Sequence, residues 1–385
     1  MTTRSATVTW AGANARRMER QGLTAPLGAA TPATAVSAMP AAHAQVLSAA
    51  ELSVGLRTAE LNRGDVRAAL WTDRTLVKTF GPRGTVHLVA ADELALWTGA
   101  LSALPVARSV HPEGVRMTPE QTEEVLAAIA DALTGAELTV DELTEAVVAR
   151  AGAWAGEPVM PAFQTLWPRW RQVTHLAGHR GVLCFGADRG RKVTYTNPGV
   201  APLDGPGASA ALVRRYLHAY GPATPQDYAK WLATSGRWAS QLFAGLAADG
   251  AIEEVVYEDG AAAWVVAGDT VFPDRAVRGV RLLPYFDAFV IASQPRGRLF
   301  PGTAYTRALA GGQAGNYPVL LVDGTVAGVW HQRRAGGRIV VTVEPLSPLA
   351  AEQSAELEQQ AARVGEVLEG RAELTVGTVT VGAHA

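Results

Sequence analysis

Residues 75–89 run Thr75-Leu-Val-Lys-Thr-Phe80, then Gly81-Pro-Arg-Gly84, then Thr85-Val-His-Leu-Val89. The outer two runs are rich in β-branched and aromatic residues, and the middle run carries the Gly and Pro of a turn. Two β-rich runs around such a turn predict a β-hairpin. Helical segments precede it, so the whole indicates a winged helix, which is a helix-turn-helix followed by a β wing.

Apolar periodicity and capping signals predict the upstream helices. They lie over Asn14–Gln21, Thr34–Met39, Ala49–Arg57 and Asp65–Leu70. Ser48 and Glu51 have the spacing of a capping box, in which the hydroxyl accepts from the Glu51 amide and the carboxylate accepts from the Ser48 amide. The third helix is therefore expected to begin just after Ser48.

The same order of elements recurs twice, with helical segments before two β-rich runs that a turn connects. The second set has helices over Glu120–Asp131, Val140–Arg150 and Phe163–Leu176 and strands over Val182–Phe185 and Lys192–Tyr195. The third has helices over Ala208–Tyr220, Pro225–Leu232 and Trp238–Asp249 and strands over Ile252–Tyr257 and Ala263–Val266. Three such sets in one chain favour tandem winged helices.

From Val280 the pattern changes to short β-rich runs separated by Gly-rich turns, which predict a small β-barrel or a strongly bent sheet. The runs are Leu282–Ala292, Val319–Val322, Thr325–Gln332 and Arg338–Val343, followed by a helix over Ala350–Leu368 and a strand over Ala372–Val376. Helices and mostly antiparallel strands together give an α+β fold class.

Composition excludes several classes of protein. With 48% hydrophobic and 18% charged residues, the 385-residue chain is long and apolar enough to fold into two or three units. Cys184 is the single cysteine, which excludes disulfides and cysteine-based metal clusters. No apolar run approaches the ~20 residues of a membrane span, and residues 1–6 do not resemble a secretory signal. The expected location is the cytoplasm.

The net charge of −2 conceals an uneven distribution of charge. Between Pro161 and Pro198 the charged residues are almost all basic, and the segment from Ala351 to Gly370 is almost all acidic. Arginine is well suited to bidentate phosphate contact, although codon composition is an equally open explanation of its abundance. The acidic segment is typical of a solvated helix face.

Several motifs, in this order along nearly the whole chain, resemble the AlkZ/YcaQ-type winged-helix DNA glycosylases of bacteria. They are His43-Ala44-Gln45, Leu52–Arg57, Arg83-Gly-Thr-Val-His-Leu88, Leu282-Leu-Pro-Tyr-Phe-Asp287 and Pro318–Trp330. The resemblance implies an α+β fold of three tandem winged-helix units arranged around a small β-barrel. The expected units are residues 1–110 with the catalytic segment, 111–205, 206–275, and 276–385 with the barrel and the last helix.

The resemblance also implies monofunctional hydrolysis of the N-glycosidic bond of alkylated bases, above all bulky N7-guanine adducts of genotoxic natural products, in DNA repair or self-resistance. The family's active site is a Gln–apolar–Gln or Gln–apolar–Asp segment, which corresponds here to His43, Ala44 and Gln45. His43 stands where the family has its first Gln. Double-stranded DNA carrying alkylated bases is the expected partner of a monomer that needs no cofactor, metal or membrane.

The chemistry requires a water held against the anomeric carbon of the sugar, because N7 alkylation already makes guanine a good leaving group. Gln45 can orient a water through its amide oxygen but cannot act as a base near neutral pH. A neutral imidazole at the ordinary pKa of about 6.5 can accept the proton of that water. We therefore expect His43 to activate or orient the water and Gln45 to fix its position.

Basic residues near the expected wings are candidates for DNA contact. The candidates are Lys78, Arg83, His87, Arg169, Arg171, Arg191, Lys192, Arg333 and Arg334. Trp167 and Trp170, three apart, are expected on one helix face with at least one of them in the core. His175 and His179 have a metal-compatible spacing but no third ligand, so they are interpreted as DNA-facing or surface residues. Asp287 is a structural hydrogen-bond acceptor or an additional catalytic carboxylate.

Two other functions remain open. A non-catalytic winged-helix regulator would need the same wings and arginines but no dependence on His43 and Gln45. A toxin-sequestering protein would instead bind a free drug in a Trp-rich cleft without DNA.

Overall fold

The structure is a computed structural model that describes residues 6–106, 111–162 and 165–383. Its α-helices are α1 (Trp10–Arg20), α2 (Pro32–Ala38), α3 (Leu47–Gly55), α4 (Arg63–Trp71), α5 (Leu94–Ser102), α6 (Pro119–Leu133), α7 (Val140–Ala151), α8 (Thr174–His179), α9 (Gly205–Tyr220), α10 (Pro225–Leu232), α11 (Gly236–Ala248), α12 (Ala288–Ala292), α13 (Arg296–Leu299), α14 (Ala304–Arg307) and α15 (Ala351–Val367). Short 3₁₀ helices cover Pro82–Gly84, Ala91–Glu93, Ala153–Gly156 and Arg169–Val173.

The β-strands form separate small sheets and one larger sheet. They are β1 (Thr7–Val8), β2 (Ala42–His43), β3 (Leu76–Phe80), β4 (Val86–Ala90), β5 (Glu137–Thr139), β6 (Pro158–Ala162), β7 (Thr165–Pro168), β8 (Cys184–Phe185), β9 (Thr194–Thr196), β10 (Ile252–Tyr257), β11 (Ala262–Val266), β12 (Val280–Leu283), β13 (Val319–Val322), β14 (Thr325–Ala335), β15 (Arg338–Pro345) and β16 (Arg371–Val376). The mixture of helices and mostly antiparallel sheets confirms the α+β class.

The hairpin predicted over residues 75–89 is present. Strands β3 and β4 pair antiparallel from Leu76↔Ala90 to Phe80↔Val86. Strand β2 joins the free edge of β4, so the sheet has the order β2-β4-β3. The segment that carries His43 is thus part of the same sheet as the hairpin.

The predicted capping box at Ser48 is wrong. Helix α3 begins at Leu47, with Val46 at the N-cap and no side-chain cap, so Ser48 lies inside the first turn. The carboxylate of Glu51 is fully buried and accepts a 2.6 Å hydrogen bond from Arg67 of α4. Burial against α4, rather than the end of its own helix, decides the direction of this side chain.

The second set is confirmed in its first two helices and in its strand pair, because α6 and α7 form and β8 pairs with β9. The helix predicted over Phe163–Leu176 is wrong. Strands β6 and β7 pair there, and a 3₁₀ helix and the short α8 follow; Phe163 and Gln164 lie outside the described residues. Pro168 explains the difference, since proline removes a donor and clashes inside a helix.

The third set is confirmed in all its elements, with α9, α10 and α11 followed by the antiparallel pair β10–β11. The N-terminus joins it, because β1 runs parallel to β10. Arg17 of α1 is buried and donates to the carbonyls of Gly221, Pro222 and Gln294. Charged hydrogen bonds to carbonyls therefore fix α1 against elements about 200 residues later.

The last region is a five-stranded sheet of order β12-β13-β14-β15-β16, with β15 and β16 parallel and the other pairs antiparallel. Its two edge strands, β12 and β16, do not pair within the described residues, so the sheet is an open half-barrel rather than a closed barrel. The predicted run Leu282–Ala292 leaves the sheet after Leu283 and becomes α12. Helix α15 covers the sheet and packs against β12 and β16.

The hydrophobic cores connect the regions. The largest core combines residues of α2–α4 and β4 with residues of α6–α8 and β8–β9, and it includes Ala288. A second core combines α5 with α9, α10 and α11. Within the described residues no helix is both long and apolar enough to cross a membrane. The three β-strands around His43 lie where these cores meet.

Candidate active site

His43 is placed by the pairing of β2 with β4. It stands directly opposite His87, and the next residue, Ala44, donates its amide to the carbonyl of Val86 at 2.8 Å. Cross-strand neighbours have their side chains on the same face of a sheet. Accordingly the two imidazole rings meet edge to face with centroids 5.0 Å apart. His43 is only 8% exposed.

A small recess lies over this pair of rings. It is lined by Ala41, His43, Pro82, Arg83, His87, Trp231, Phe286, Ala288 and Ile291. The room inside it is about 10 Å³ for the centre of a water molecule, which corresponds to a single water. The described residues that line it include no Asp or Glu. The recess can therefore hold a water between imidazoles, but it does not enclose a carboxylate base.

Phe286 covers the other face of His43. The two rings are stacked with centroids 4.5 Å apart, and Phe286 has the unusual φ of 54°. The next residue, Asp287, is fully buried and bound by both terminal nitrogens of Arg57, at 2.8 and 2.9 Å. Asp287 also accepts from Ser53 and from the amide of Phe289. It is thus a structural acceptor that holds Phe286 against His43, not a carboxylate of the recess.

Arg83 closes a third side of the recess. It has a left-handed φ of 62°, and its guanidinium donates to the carbonyl of Trp231 at 2.8 Å. Arg83 and His87, both candidates for DNA contact, face inward: His87 is 4% exposed, and Arg83 reaches α10. The turn of the first hairpin packs against the rest of the protein, and Arg83 and His87 line the recess.

Two further histidines hold this turn from the opposite side. His179 donates from Nε2 to the carbonyl of Gly81 at 3.2 Å, and a side chain on Gly84 would lie 3.3 Å from the ring of His175. His179 is 8% exposed, which corrects its assignment as a DNA-facing or surface residue. In the part of the chain that the structure describes, no three His, Cys, Asp or Glu side chains gather to hold a metal.

Burial keeps these imidazoles neutral at pH 7. Desolvation, with a smaller contribution from Arg83, lowers the pKa of His43 to about 3. Desolvation together with His43 and Arg83 holds the pKa of His87 well below its usual range, and burial and His175 lower that of His179 to about 4. A neutral imidazole with so low a pKa is a weak base, but it still donates and accepts hydrogen bonds.

Gln45 differs from His43 in its surroundings. It follows the end of β2 and is exposed, as is Val46 at 44%. The structure therefore places His43 inside the recess, and Gln45 on the surface two residues away. The backbone at His43 is extended, as its pairing with β4 shows.

Two of the other predicted DNA-contact residues lie away from the recess and are engaged inside the protein. Lys78 is half-buried, with its ammonium 4.8 Å from the ring centroid of Phe185. Arg169 is bound to Glu157 and to the carbonyl of Val115. These contacts leave neither side chain as a free surface cation.

The remaining candidates are Arg171, which is half-buried in the 3₁₀ helix Arg169–Val173, and exposed residues of two hairpins. The guanidinium of Arg171 stacks over Trp167, 3.8 Å from its ring centroid, and Trp167 is 37% exposed in β7. Trp167 and Trp170 do not share a helix face, although the expectation that one of them is in the core is confirmed by Trp170, which is fully buried. Further candidates are at turns, with Arg191 and Lys192 between β8 and β9 and Arg333 and Arg334 before the β14–β15 turn.

Two of these turn residues have partners on the surface. Lys192 lies 2.7 Å from the carboxylate of Asp141, and both side chains are more than half exposed. Arg334 donates to the carbonyl of Leu368. An exposed ion pair such as Lys192–Asp141 contributes little free energy, so a phosphate can replace Asp141 as the partner of Lys192.

Two residues that shape the site could not be found from the sequence. Phe286 lies within the motif Leu282–Asp287, but nothing in its apolar context indicated a stacking partner for His43. Trp231 had no signal, since its contribution is a backbone carbonyl and one ring wall reached from a distant helix. Arg57, the buried partner of Asp287, ends the motif Leu52–Arg57, and the opposite charges of the two motif ends could have suggested their pairing.

Comparison with known proteins defines the class of this one. The family model described as "DNA glycosylase AlkZ-like" matches residues 36–367. The chain therefore belongs to the AlkZ-like DNA glycosylases, enzymes that cleave N-glycosidic bonds.

Individual relatives agree with this assignment. An interstrand DNA cross-link repair glycosylase of Streptomyces sahachiroi is 29% identical over 335 residues, which are 84% of this chain and 87% of the relative. The structure of the Streptomyces sahachiroi DNA glycosylase AlkZ matches with a TM-score of 0.80 and 27% identity, over 96% of this chain and 100% of the other.

Proposed function

We propose that this enzyme is a monofunctional DNA glycosylase that releases alkylated bases, chiefly bulky N7-guanine adducts, from double-stranded DNA. The observation that carries the proposal is the recess at His43, which has room for one water and no carboxylate among its described lining residues. The relative that repairs interstrand cross-links extends the expected substrates to cross-linked bases. The family resemblance adds the adducts of DNA-alkylating natural products. Protection of a producing organism from its own toxin would follow from that activity.

The protonation state of the site suits a cationic leaving group. A neutral base needs an acid to protonate it before it leaves, and His43 with a pKa of about 3 supplies none at pH 7. N7-alkylguanine carries its positive charge already, so the glycosidic electrons pass to the base without proton transfer. Water then bonds to C1′, one of its protons leaves through imidazole or solvent, and the products are neutral alkylguanine and an abasic site.

In this proposal His43 orients the water by hydrogen bonding rather than acting as a strong base. Gln45, exposed beside Val46, contacts the water or the sugar from the side on which DNA docks. The recess is too small to receive a flipped base, since it admits about 10 Å³ of water centres. A bulky adduct would therefore remain near the helix while the water reaches its sugar, in contrast with enzymes that extrude the target into a pocket.

The same size argues against sequestration of a toxin at this recess, because a cavity for a drug-sized ligand is typically about 300 Å³ or more. A larger cavity, of about 440 Å³, lies between residues 345–349 and α15, but none of the described residues that line it is a Trp, whereas sequestration was expected in a Trp-rich cleft. The three sets of helices with a following strand pair are proposed to be tandem winged-helix units that hold the duplex. Arg171, Arg191, Lys192, Arg333 and Arg334 are the proposed phosphate contacts, with Lys78 and Arg169 secondary because internal contacts engage them. The four sequence units keep their proposed limits near 110, 205 and 275.

The direct test uses duplex DNA with one N7-alkylguanine and identifies the released base by mass. His43→Ala combined with Gln45→Ala is expected to slow release at saturating enzyme by about 100-fold or more. A matched control is the adjacent pair on β14, His331→Ala with Gln332→Ala, which should release the base at the wild-type rate. If the His43/Gln45 variant released the base at the wild-type rate, the assignment of the site would be refuted. If the wild-type enzyme released no base, the proposed substrate would be refuted.

A further inference from the structure

His87 has a fixed hydrogen-bonding pattern. Its Nδ1 lies 2.9 Å from the carbonyl oxygen of Thr85. A carbonyl can only accept, so Nδ1 carries the proton. In the neutral ring the other nitrogen, Nε2, then has a free lone pair and is an acceptor. The backbone thus selects the tautomer in which Nε2 can receive a hydrogen bond.

The ring of His87 is also fixed in position. A Cβ on Gly81 would lie 2.9 Å from the ring, so glycine is required there to let the turn backbone lie flat against the imidazole. His43 meets the ring edge to face from the neighbouring strand. These contacts come from the hairpin turn and from strand β2, and together they fix the ring more firmly than a surface DNA contact would need.

The ring lines the one-water recess although it is only 4% exposed. The other imidazole of the recess, His43, has its Nδ1 buried with no hydrogen-bond partner among the described residues. The recess therefore offers a water two imidazoles on neighbouring strands. In His87 the hydrogen bond to Thr85 has already made Nε2 the acceptor nitrogen.

We propose that His87 is a positioning residue of the glycosylase site, whose Nε2 accepts a hydrogen bond from the attacking water that His43 also contacts. The assignment rests on the function proposed above. Water bound by both rings has one O–H directed to His87, which leaves an oxygen lone pair for C1′. His87 holds the water and takes no proton from it.

The two amide variants of His87 separate this role from a structural one. His87→Asn keeps an N–H near the position of Nδ1 and so preserves the bond to Thr85, but it lacks an acceptor at Nε2. His87→Gln has an amide oxygen that reaches the position of Nε2. We expect His87→Asn to keep its DNA affinity and melting temperature close to wild type and to release an N7-alkylguanine about 100-fold more slowly at saturating enzyme.

His87→Gln is expected to recover at least about tenfold of that loss, and the control His331→Asn to retain the full rate. If His87→Asn released the base at the wild-type rate, the proposal would be overturned, because the bond to Thr85 alone would then account for the role of His87. Equal slow rates for the Asn and Gln variants would overturn it too, since the acceptor would make no difference.

A second measurement does not depend on turnover or on folding of the variants. Nitrogen NMR of the labelled wild-type protein should show His87 as the Nδ1–H tautomer at pH 7. Its Nε2 signal should shift on binding of duplex DNA with a tetrahydrofuran abasic site. A protonated ring, the opposite tautomer or an unmoved signal refutes the role of His87. Failure of wild-type base release refutes the proposed function instead, so the two failures are distinguishable.

Discussion

Two hairpins of this enzyme have turns of similar composition, but one turn is packed inside the protein and the other is exposed. The inner hairpin, β3–β4, and the outer hairpin, β14–β15, both carry arginine beside a glycine-containing turn. In the inner hairpin Arg83 bonds to Trp231, and His175 and His179 press on the turn. In the outer hairpin Arg333 and Arg334 are exposed, and a Cβ on Gly336 or Gly337 would meet nothing within 4 Å.

The difference shows that a basic turn is not by itself a DNA probe. Strand β2 and two hydrophobic cores surround the inner hairpin, so its buried polar groups must find partners inside the protein. On the outer hairpin Arg333 and Arg334 are exposed, so they can reach a phosphate, although Arg334 also donates to the carbonyl of Leu368. One hairpin lines the candidate site, and the other is proposed to hold DNA.

The variant with the largest expected effect removes Asp287, whose ion pair with Arg57 holds Phe286 beside the inner hairpin. Asp287→Ala leaves Arg57 charged and buried without its partner, because the side chains of both residues are 0% exposed. We expect a loss of about 3–5 kcal/mol in the free energy of unfolding, measured in denaturant. At the outer hairpin, Glu373→Ala removes the exposed partner of Arg338 and should change stability by at most about 1 kcal/mol. Similar losses for both variants would contradict the comparison.

Acid should weaken the inner hairpin first. The folded pKa of His43, about 3, lies below the ordinary 6.5, so the folded state binds fewer protons than the unfolded state. The stability it contributes is complete above pH 6.5 and is lost as pH falls toward 3. From pH 7 to pH 5 this amounts to about 2 kcal/mol for His43 alone.

The measurement is the melting temperature at both pH values. His43→Gln should show a smaller fall than wild type, whereas His331→Gln on the outer hairpin should keep nearly the whole fall. A wild-type melting temperature that did not change between pH 7 and pH 5 would rule out buried neutral histidines.

The two hairpins also differ in the space around their glycine residues. Gly81→Ala places a Cβ 2.9 Å from the ring of His87, which must move or strain. We expect a cost of about 1–3 kcal/mol and slower base release. Gly337→Ala on the outer hairpin has open space around it and should leave both properties unchanged. Equal behaviour of the two variants would mean that the inner turn has room to relax.

The smallest effect concerns DNA affinity. Arg333→Ala with Arg334→Ala should lower the slope of log affinity against log salt by about 2, one for each phosphate that these arginines would neutralise. Release of an N7-alkylguanine at saturating enzyme should not change. Arg83→Ala should leave the salt slope as it is, because that guanidinium is bound to Trp231. A slope that responds to Arg83 and not to the outer pair would reverse the assignment of the two hairpins.

Local pattern was enough for much of the fold. The inner hairpin and the helices α10 and α11 follow from strand alternation, caps and turn residues, and the strands of the open sheet follow from β-rich runs between glycines. Local pattern failed at Phe163–Leu176, where apolar periodicity outweighed Pro168, and at Ser48, where the capping signature lay inside the helix.

The amino-acid sequence by itself determined the α+β class, the family and the candidate segment His43-Ala44-Gln45, because each depends on residues close together or on the order of motifs. Only the tertiary structure decided that Arg83 and His87 face inward, that Phe286 stacks on His43, and that burial keeps the imidazoles neutral. Those properties depend on desolvation and on partners such as Trp231 and Asp287, which lie more than about a hundred residues away. Spacing along the chain does not predict such long-range contacts, because they form only when the hydrophobic cores pack.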